Sequence, residues 1–277
     1  MIKKINFILS LLKQVVYIPR MIGVFRNRYI YIHTYTCSIG KLFINRIHPK
    51  YIFKDKKHTY ITRNWMKIIS HFRSDLLIIN EIFINRCYGN QVKKNSTIID
   101  IWANIWIFDL RVHEVSSGCK IYAFEPDVGN FKRLEEHIHI NKLEDSVICF
   151  NEGVQWKKEQ RKLFLYWHSA WHSFLENTNL KERSQITINC IPLEDIFKDN
   201  KIDYCDILKI DVEWSEYDIF YNTPDSIFHK IGEIRMEYHD LNEIHNWENL
   251  MKFLRSKWFI ITRLSTWIVL CKNTHKK

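Results

Sequence analysis

The hydrophobic pattern is clearest in residues 96–126. Two short apolar runs, 97–99 and 121–124, each end in an acid, and apolar residues at helical spacing lie between them. Strand, turn, helix and strand within this length are typical of a βαβ unit with parallel strands. Because the carboxyl ends of parallel strands share one edge of the sheet, we expect Asp100 and Glu125 to meet where such sheets bind ligands.

The same alternation of strands and helices continues toward the C-terminus. Further strands are predicted at 147–150, 207–211, 231–238, 259–264 and 268–271, and helices at 74–86, 127–141, 192–197 and 246–255. Two more runs, 163–166 and 186–191, read as an inserted arm. The alternation predicts a doubly wound sheet, and the final close pair suggests one antiparallel edge strand.

The turn after the first strand lacks the glycines that a nucleotide-binding loop needs. Glycine tolerates positive φ and close approach of a ligand to the backbone. This chain has Trp102 and Trp106 at the two expected positions. The acid Glu125 nevertheless follows at about the spacing that places a carboxylate on ribose hydroxyls. From these residues alone, the sequence indicates a nucleotide-binding α/β enzyme with an unusual loop.

Three blocks of sequence resemble the FkbM family of S-adenosylmethionine-dependent methyltransferases. They are Asp100–Trp106, Phe124–Pro126 and Lys209–Glu216, and the similarity runs from about residue 77 to residue 270. The resemblance implies a Rossmann-like class I fold, with a mostly parallel seven-stranded sheet and an antiparallel terminal strand. It also implies S-adenosyl-L-methionine as cofactor and O-methylation of a glycan or a secondary metabolite. We expect a catalytic domain at 71–277 and a basic N-terminal extension or cap at 1–70.

Each departure from the family pattern places tryptophan where the family has glycine. Family members have glycine where this chain has Trp102, Trp106 and Trp214. The chain contains 10 tryptophans and only 7 glycines. Three more tryptophans stand in turn-like contexts, namely Trp156, Trp258 and Trp267. We therefore hypothesise that several tryptophans are glycines in the native protein, for instance where UGA codons that encode glycine were read as tryptophan. The alternative is a degenerate, non-catalytic scaffold with genuine tryptophans.

The resemblance places the cofactor at the ends of the first three strands. The candidate loop residues are Asp100, Trp102, Ala103, Asn104 and Trp106. Glu125 would accept the two ribose hydroxyls, because a carboxylate with two oxygens suits a vicinal diol. Glu152, just after the third strand, would lie near the adenine ring. The alternatives are a helix N-terminal charge for Glu125 and an exposed turn acid for Glu152.

The candidate catalytic groups follow the fourth and fifth strands. Methyl transfer to oxygen requires a base that takes the proton of the acceptor hydroxyl. Asp211, Glu237 and His239 are the candidates, and histidine titrates near neutrality. We expect Asp211 to face the site and Glu213 to point the other way, toward the cap or a helix start. Glu237 and His239 should alternate likewise, and Glu216 reads as a first-turn acid.

His172 and Ser173 match a family segment and are candidates for a lid over the acceptor. Asp211, Glu213, Glu237 and His239 could also supply oxygen and imidazole ligands to a metal, although their spacing does not demand one. We predict no metal. A metal-dependent glycosyltransferase that uses Asp211 and Glu213 is the alternative enzyme.

Composition and charge limit the classes of partner that the chain is expected to bind. The net charge of +10 arises in residues 1–54, which hold 10 Lys or Arg and no acid. The balanced remainder argues against nucleic-acid binding. A small-molecule or glycan acceptor is what the family resemblance implies. Residues 1–25 predict a basic amphipathic helix, either on an anionic membrane surface or packed on protein. They contain no uncharged run long enough to span a membrane. Widely spaced cysteines favour the cytoplasm, and the pattern does not indicate an oligomeric state.

Overall fold

The computed structural model describes residues 18–34, 57–166, 172–176 and 182–275. Residues 1–17 of the predicted amphipathic helix and residues 35–56 of the predicted cap therefore lie outside the described residues. The chain divides into two compact units, Met1–Arg86 and Cys87–Lys277. The functional division at residue 70 stays a prediction. Within the described ranges, no helix is long and apolar enough to cross a membrane.

The first unit contains short helices and one hairpin. Its elements are α1, Ile18–Val24; a helix over 28–34; β1, His58–Ile61; β2, Lys67–Ser70; and α2, Arg73–Ile79, which continues as a π-helix, Asn80–Asn85. The last helix buries one face, formed by Leu76, Ile79, Ile82 and Phe83. Asp75 accepts hydrogen bonds from the backbone N–H groups of His71 and Phe72, so the carboxylate caps the start of this helix.

The second unit is built on a seven-stranded sheet. Its strands are β3, Thr97–Ile101; β4, Lys120–Phe124; β5, Val147–Phe150; β9, Cys205–Ile210; β10, Ile231–Glu237; β11, Phe259–Arg263; and β12, Ile268–Asn273. The order across the sheet is β11-β12-β10-β9-β3-β4-β5, and β12 runs antiparallel to both of its neighbours. The predicted fold class, with its mostly parallel sheet and antiparallel terminal strand, is confirmed.

Helices cover the sheet and join its strands. They are α3, Ile107–Val115; α4, Val128–Asn141; α5, Leu193–Asp199; α6, Glu216–Asn222; α7, Asp225–Phe228; and α8, Trp247–Ser256. Side-chain caps fix two of the starts: Asp127 accepts from the backbone N–H of Asn130 at 2.7 Å, and Asn246 accepts from that of Asn249 at 3.1 Å. These caps explain why the helices predicted at 127–141 and 246–255 begin where they do.

The predicted arm is a separate three-stranded sheet. It consists of β6, Gly153–Val154, parallel to β8, Glu182–Ile191, which pairs antiparallel with β7, Glu159–Tyr166. Leu163 and Ile188 bring the apolar face of the arm into the same hydrophobic core as Ile99 and Tyr122 of the main sheet. The arm is therefore packed against the catalytic sheet and does not project freely into solvent.

Candidate active site

The loop between β3 and α3 has the backbone of a glycine-rich turn. Trp102, Asn104 and Trp106 all adopt left-handed conformations, with φ of 67°, 53° and 70°. The N–H of Ala103 donates to the Phe124 carbonyl at 2.9 Å, and the N–H of Trp106 donates to the Ala103 carbonyl at 2.8 Å. The loop is thereby held against the end of β4. The indoles of Trp102 and Trp106 are both buried.

Glu125 points its carboxylate at this loop. One oxygen accepts from the backbone N–H of Asn104 at 2.7 Å, and the other accepts from the N–H of Asp127 at 2.9 Å. Burial raises the pKa of Glu125 to about 8, although these hydrogen bonds oppose the shift. Glu125 therefore meets the backbone of the loop after β3, whereas Asp100, which was expected beside it, pairs with Lys209.

Asp100 pairs with a lysine that sequence reasoning did not select. Lys209, from the neighbouring strand β9, places its Nζ 3.0 Å from Asp100 Oδ1 and donates to the Trp102 carbonyl at 2.8 Å. Burial raises the pKa of Asp100, and the charge of Lys209 opposes that shift. Asp109 lies beside this pair, and burial together with the charge of Asp100 raises its pKa. Asp100 therefore positions the loop through Lys209. The signal that could have found the pair is a charged residue inside an apolar strand.

Asn151, just after β5, is a second site residue that was not identified from the sequence. The side-chain amide of Asn151 donates to the carbonyls of Glu125 and Pro126, at 2.8 and 3.0 Å. Asn151 thereby fixes the turn that carries Glu125. Glu152 is half-buried one residue further on, and its assignment to the adenine ring stays a prediction.

A second cluster of titratable side chains surrounds His239. The Nδ1 atom lies 2.8 Å from Oε1 of the buried Glu216 at the start of α6. The Nε2 atom lies 3.7 Å from carboxylate oxygens of both Glu213 and Glu237. The Trp214 ring covers the imidazole, with the ring centres 4.8 Å apart. The structure thus brings His239 together with three acids, of which Glu216 had been read only as a first-turn charge.

Burial and neighbouring charges raise the pKa values of His239 and Glu213, so both groups stay protonated to higher pH. Burial lowers the pKa of His239, but the hydrogen bond and charge of Glu216, with the charges of Glu213 and Glu237, outweigh it and raise the pKa to about 9. Burial, followed by the charge of Asp211, raises the pKa of Glu213 to about 9. An imidazole held in this way is a strong base once it has lost its extra proton.

Two predicted orientations were wrong, that of Glu213 and the alternation of Glu237 with His239. Glu213 is not in extended backbone: its φ is 46°, and its buried side chain turns toward His239. Asp211 is the more accessible acid, and it accepts a hydrogen bond from the Tyr88 hydroxyl at 3.0 Å. Glu237 and His239 do not alternate, because residues two apart along a strand share a face.

His172 and Ser173, the candidates for a lid, form hydrogen bonds that hold the arm in place. The Ser173 hydroxyl donates to the Glu213 carbonyl at 2.9 Å, and Ser173 pairs through its backbone with Phe164 of β7. His172 Nδ1 accepts from the backbone N–H of Tyr166 at 3.1 Å. Ser173 therefore ties the arm to the turn that carries Glu213, and a lid function for both residues stays a prediction.

Among the residues that the structure describes, no group of three or more His, Cys, Asp or Glu side chains is arranged to hold a metal ion. The carboxylates around His239 instead form hydrogen bonds and ion pairs with the imidazole.

The sheet order, the loop after β3 and the acid after β4 define a Rossmann-like nucleotide-binding enzyme. Residues 94–260 match the model of the Methyltransferase FkbM domain family. The chain belongs to this family and is an S-adenosylmethionine-dependent methyltransferase, as its sequence blocks had indicated.

Individual relatives are distant. The chain is 24% identical over 200 residues to 31-O-demethyl-FK506 methyltransferase FkbM of Streptomyces tacrolimicus, covering 60% of this chain and 75% of that protein. It is 21% identical over 202 residues to AMB antimetabolite synthetase AmbE of Pseudomonas aeruginosa, covering 59% of this chain but 9% of that protein. A crystal structure of methyltransferase FkbM from Methylobacillus flagellatus superposes with a TM-score of 0.42 and 15% identity, covering 65% of this chain and 44% of that one.

The backbone and the acid fit the methyl donor, whereas two side chains do not. The left-handed turns at 102, 104 and 106 and the carboxylate of Glu125 form the kind of cradle that a nucleoside requires. The buried indoles of Trp102 and Trp106 occupy a loop where close approach to bare backbone is expected.

Proposed function

We propose that this methyltransferase methylates a hydroxyl oxygen of a glycan or a secondary metabolite. The acceptor class is supported by the Streptomyces relative, whose name gives a 31-O-demethyl compound as its substrate. It is also supported by the hydrogen-bonded pair of Glu216 and His239, because an alcohol must lose a proton when its oxygen is alkylated.

His239 is the proposed general base. Its Nδ1–H donates to Glu216, which leaves Nε2 as the atom that receives the hydroxyl proton. Glu216 is buried, so its charge stabilises the imidazolium that forms and fixes the orientation of the ring. This contact is the single observation that carries the mechanistic assignment.

The neighbouring acids have separate roles. Asp211 is accessible beside the Tyr88 hydroxyl and orients the acceptor. Glu213 and Glu237 flank Nε2, and the charge of Glu237 raises the basicity of the imidazole. The Glu213 carbonyl is held by Ser173, so the arm fixes the acceptor side of the cluster.

The methyl donor is assigned to the loop after β3. S-adenosylmethionine supplies a methyl group on a positively charged sulfur. Glu125 would bind the ribose diol, the backbone of residues 102–106 would receive the methionine portion, and Glu152 would hold the adenine side. Lys209 and Asp100 keep the loop in place by holding the Trp102 carbonyl.

Incubation with methyl-labelled S-adenosylmethionine and a panel of hydroxyl, amine and thiol acceptors tests the proposal. We expect label on oxygen, with turnover strongly reduced in His239→Gln and cofactor binding retained. Exclusive methylation of nitrogen, sulfur or carbon would refute the acceptor class. Full turnover in His239→Gln would refute the proposed base.

A further inference from the structure

Positive φ is concentrated on tryptophan in this chain. Of the 10 tryptophans, Trp167 and Trp171 lie outside the described residues, and five of the remaining eight have φ between 66° and 74°. The five are Trp65, Trp102, Trp106, Trp214 and Trp258. Other non-glycine residues with positive φ include two asparagines and the residues that end helices, Arg86 and Lys142, positions where this conformation is ordinary.

Such a distribution contradicts the stereochemistry of tryptophan. An L-residue in left-handed backbone brings Cβ close to the following carbonyl, and a bulky side chain there is a genuine outlier. Glycine has no Cβ and adopts this conformation without strain. In the described ranges this bulky residue type adopts positive φ more often than glycine, of which only Gly89 and Gly118 do so.

A blocked active site does not explain the pattern. Trp102, Trp106 and Trp214 belong to the family blocks, but Trp65 and Trp258 lie outside them and are 66% and 40% exposed. Loss of activity would select bulky residues only in the site. A single cause that acts on all five positions is a difference in decoding, in which one codon stands for glycine in the native host and is read as tryptophan elsewhere.

We infer that the native polypeptide carries glycine at positions 65, 102, 106, 214 and 258. The φ angle is not positive at Trp156, Trp247 or Trp267, so the backbone there does not require glycine. For positions 102 and 106 the inference rests on the proposed cofactor loop, where glycine leaves the backbone open beside Glu125. At position 214, glycine uncovers the imidazole of His239, which the indole now covers.

Peptide mass spectrometry of the protein isolated from its own organism is the direct test. We expect peptide masses that correspond to glycine at all five positions. Tryptophan at any of the five positions overturns the inference. This measurement does not depend on activity: if glycine is present and the native protein fails to bind S-adenosylhomocysteine, the proposed function fails while the glycine assignment stands.

A recombinant pair supplies an independent test. Trp258 and Trp156 are 40% and 42% exposed, so their removal uncovers similar surface, but only Trp258 has positive φ. Trp258→Gly should therefore melt at least about 2 °C above Trp156→Gly, because both variants lose side-chain contacts but only Trp258→Gly also relieves backbone strain. Equal midpoints, or a lower midpoint for Trp258→Gly, would contradict the inference.

Discussion

His239 places its Nδ1 atom 2.8 Å from Oε1 of Glu216, a carboxylate with no solvent exposure. The two residues come from different elements, the end of β10 and the start of α6. Their contact converts an isolated histidine into an oriented base. Because Nδ1 is occupied, only Nε2 remains to accept a proton from a substrate.

Replacing Glu216 with Gln should reduce kcat about 100-fold, within the range of general-base effects, and leave KM nearly unchanged. The reason is that glutamine keeps the shape but removes the charge that stabilises the imidazolium. Asp218→Asn is the matched control, since Asp218 lies in the same helical turn and is far more exposed. Steady-state kinetics of both variants check this, and a Glu216→Gln enzyme with wild-type kcat would exclude the positioning role.

The rate should rise with pH up to about 9. The base must be neutral to accept a proton, and the acids around His239 raise its pKa to about 9. In Glu216→Gln the loss of one negative charge should lower the pKa of His239, so the rising part of the pH–rate profile should move to lower pH. Profiles of kcat/KM for both proteins provide the measurement. A limb that stays in place in the variant would show that another group titrates.

Folding stability should fall as pH rises from about 5 to 9. Glu125 and Glu213 have ordinary pKa values of 4.5 that are raised to about 8 and 9 in the fold, and His239 is raised from 6.5 to about 9. The folded chain therefore binds more protons than the unfolded chain in this window, so the free energy of unfolding decreases with pH.

Urea unfolding at pH 5, 7 and 9 measures this decrease. Glu125→Gln, which cannot ionise, should show a flatter dependence than the parent protein. A parent whose stability increases steadily across the same range would contradict the assigned pKa directions.

Lys209→Met should destabilise the fold by about 3 kcal/mol or more, because it leaves the buried carboxylate of Asp100 without its counter-charge. The Trp102 carbonyl also loses its donor, so affinity for S-adenosylhomocysteine should fall. Lys272→Met is the control, on an exposed position of β12. Denaturant unfolding compares the two, and equal losses would mean that the ion pair has no special importance.

Much of the fold follows from local patterns. The apolar runs that end in Asp100 and Glu125 are strands buried at all but their first residue, and their register places both acids at one edge of the sheet. Capping residues such as Asp127 and Asn246 mark helix starts that were predicted within one or two residues. These features depend on neighbours in sequence, which is why the sequence reveals them.

The finer geometry of the site depends on tertiary contacts. Nothing near Lys209 in sequence identifies Asp100 as its partner, and a first-turn acid such as Glu216 looks the same whether it faces solvent or an imidazole. Glu213 adopts a left-handed turn although it is neither glycine nor asparagine, and residues two apart on an extended segment share a face, so Asp211 and Glu213 had no local reason to diverge. Each of these residues was misread or missed because its role is set by a distant element.

The most direct test of the whole account is calorimetric titration with S-adenosylhomocysteine. The protein would carry glycine at residues 102, 106 and 214, compared with Glu125→Ala and Asp211→Ala in the same background. We predict one site per chain, binding weakened roughly 100-fold or more in Glu125→Ala because hydrogen bonds to a charged group are lost, and unchanged binding in Asp211→Ala. Absence of binding in the glycine-bearing protein, or equal affinity in Glu125→Ala, would contradict the assignment of this loop and acid to the methyl donor.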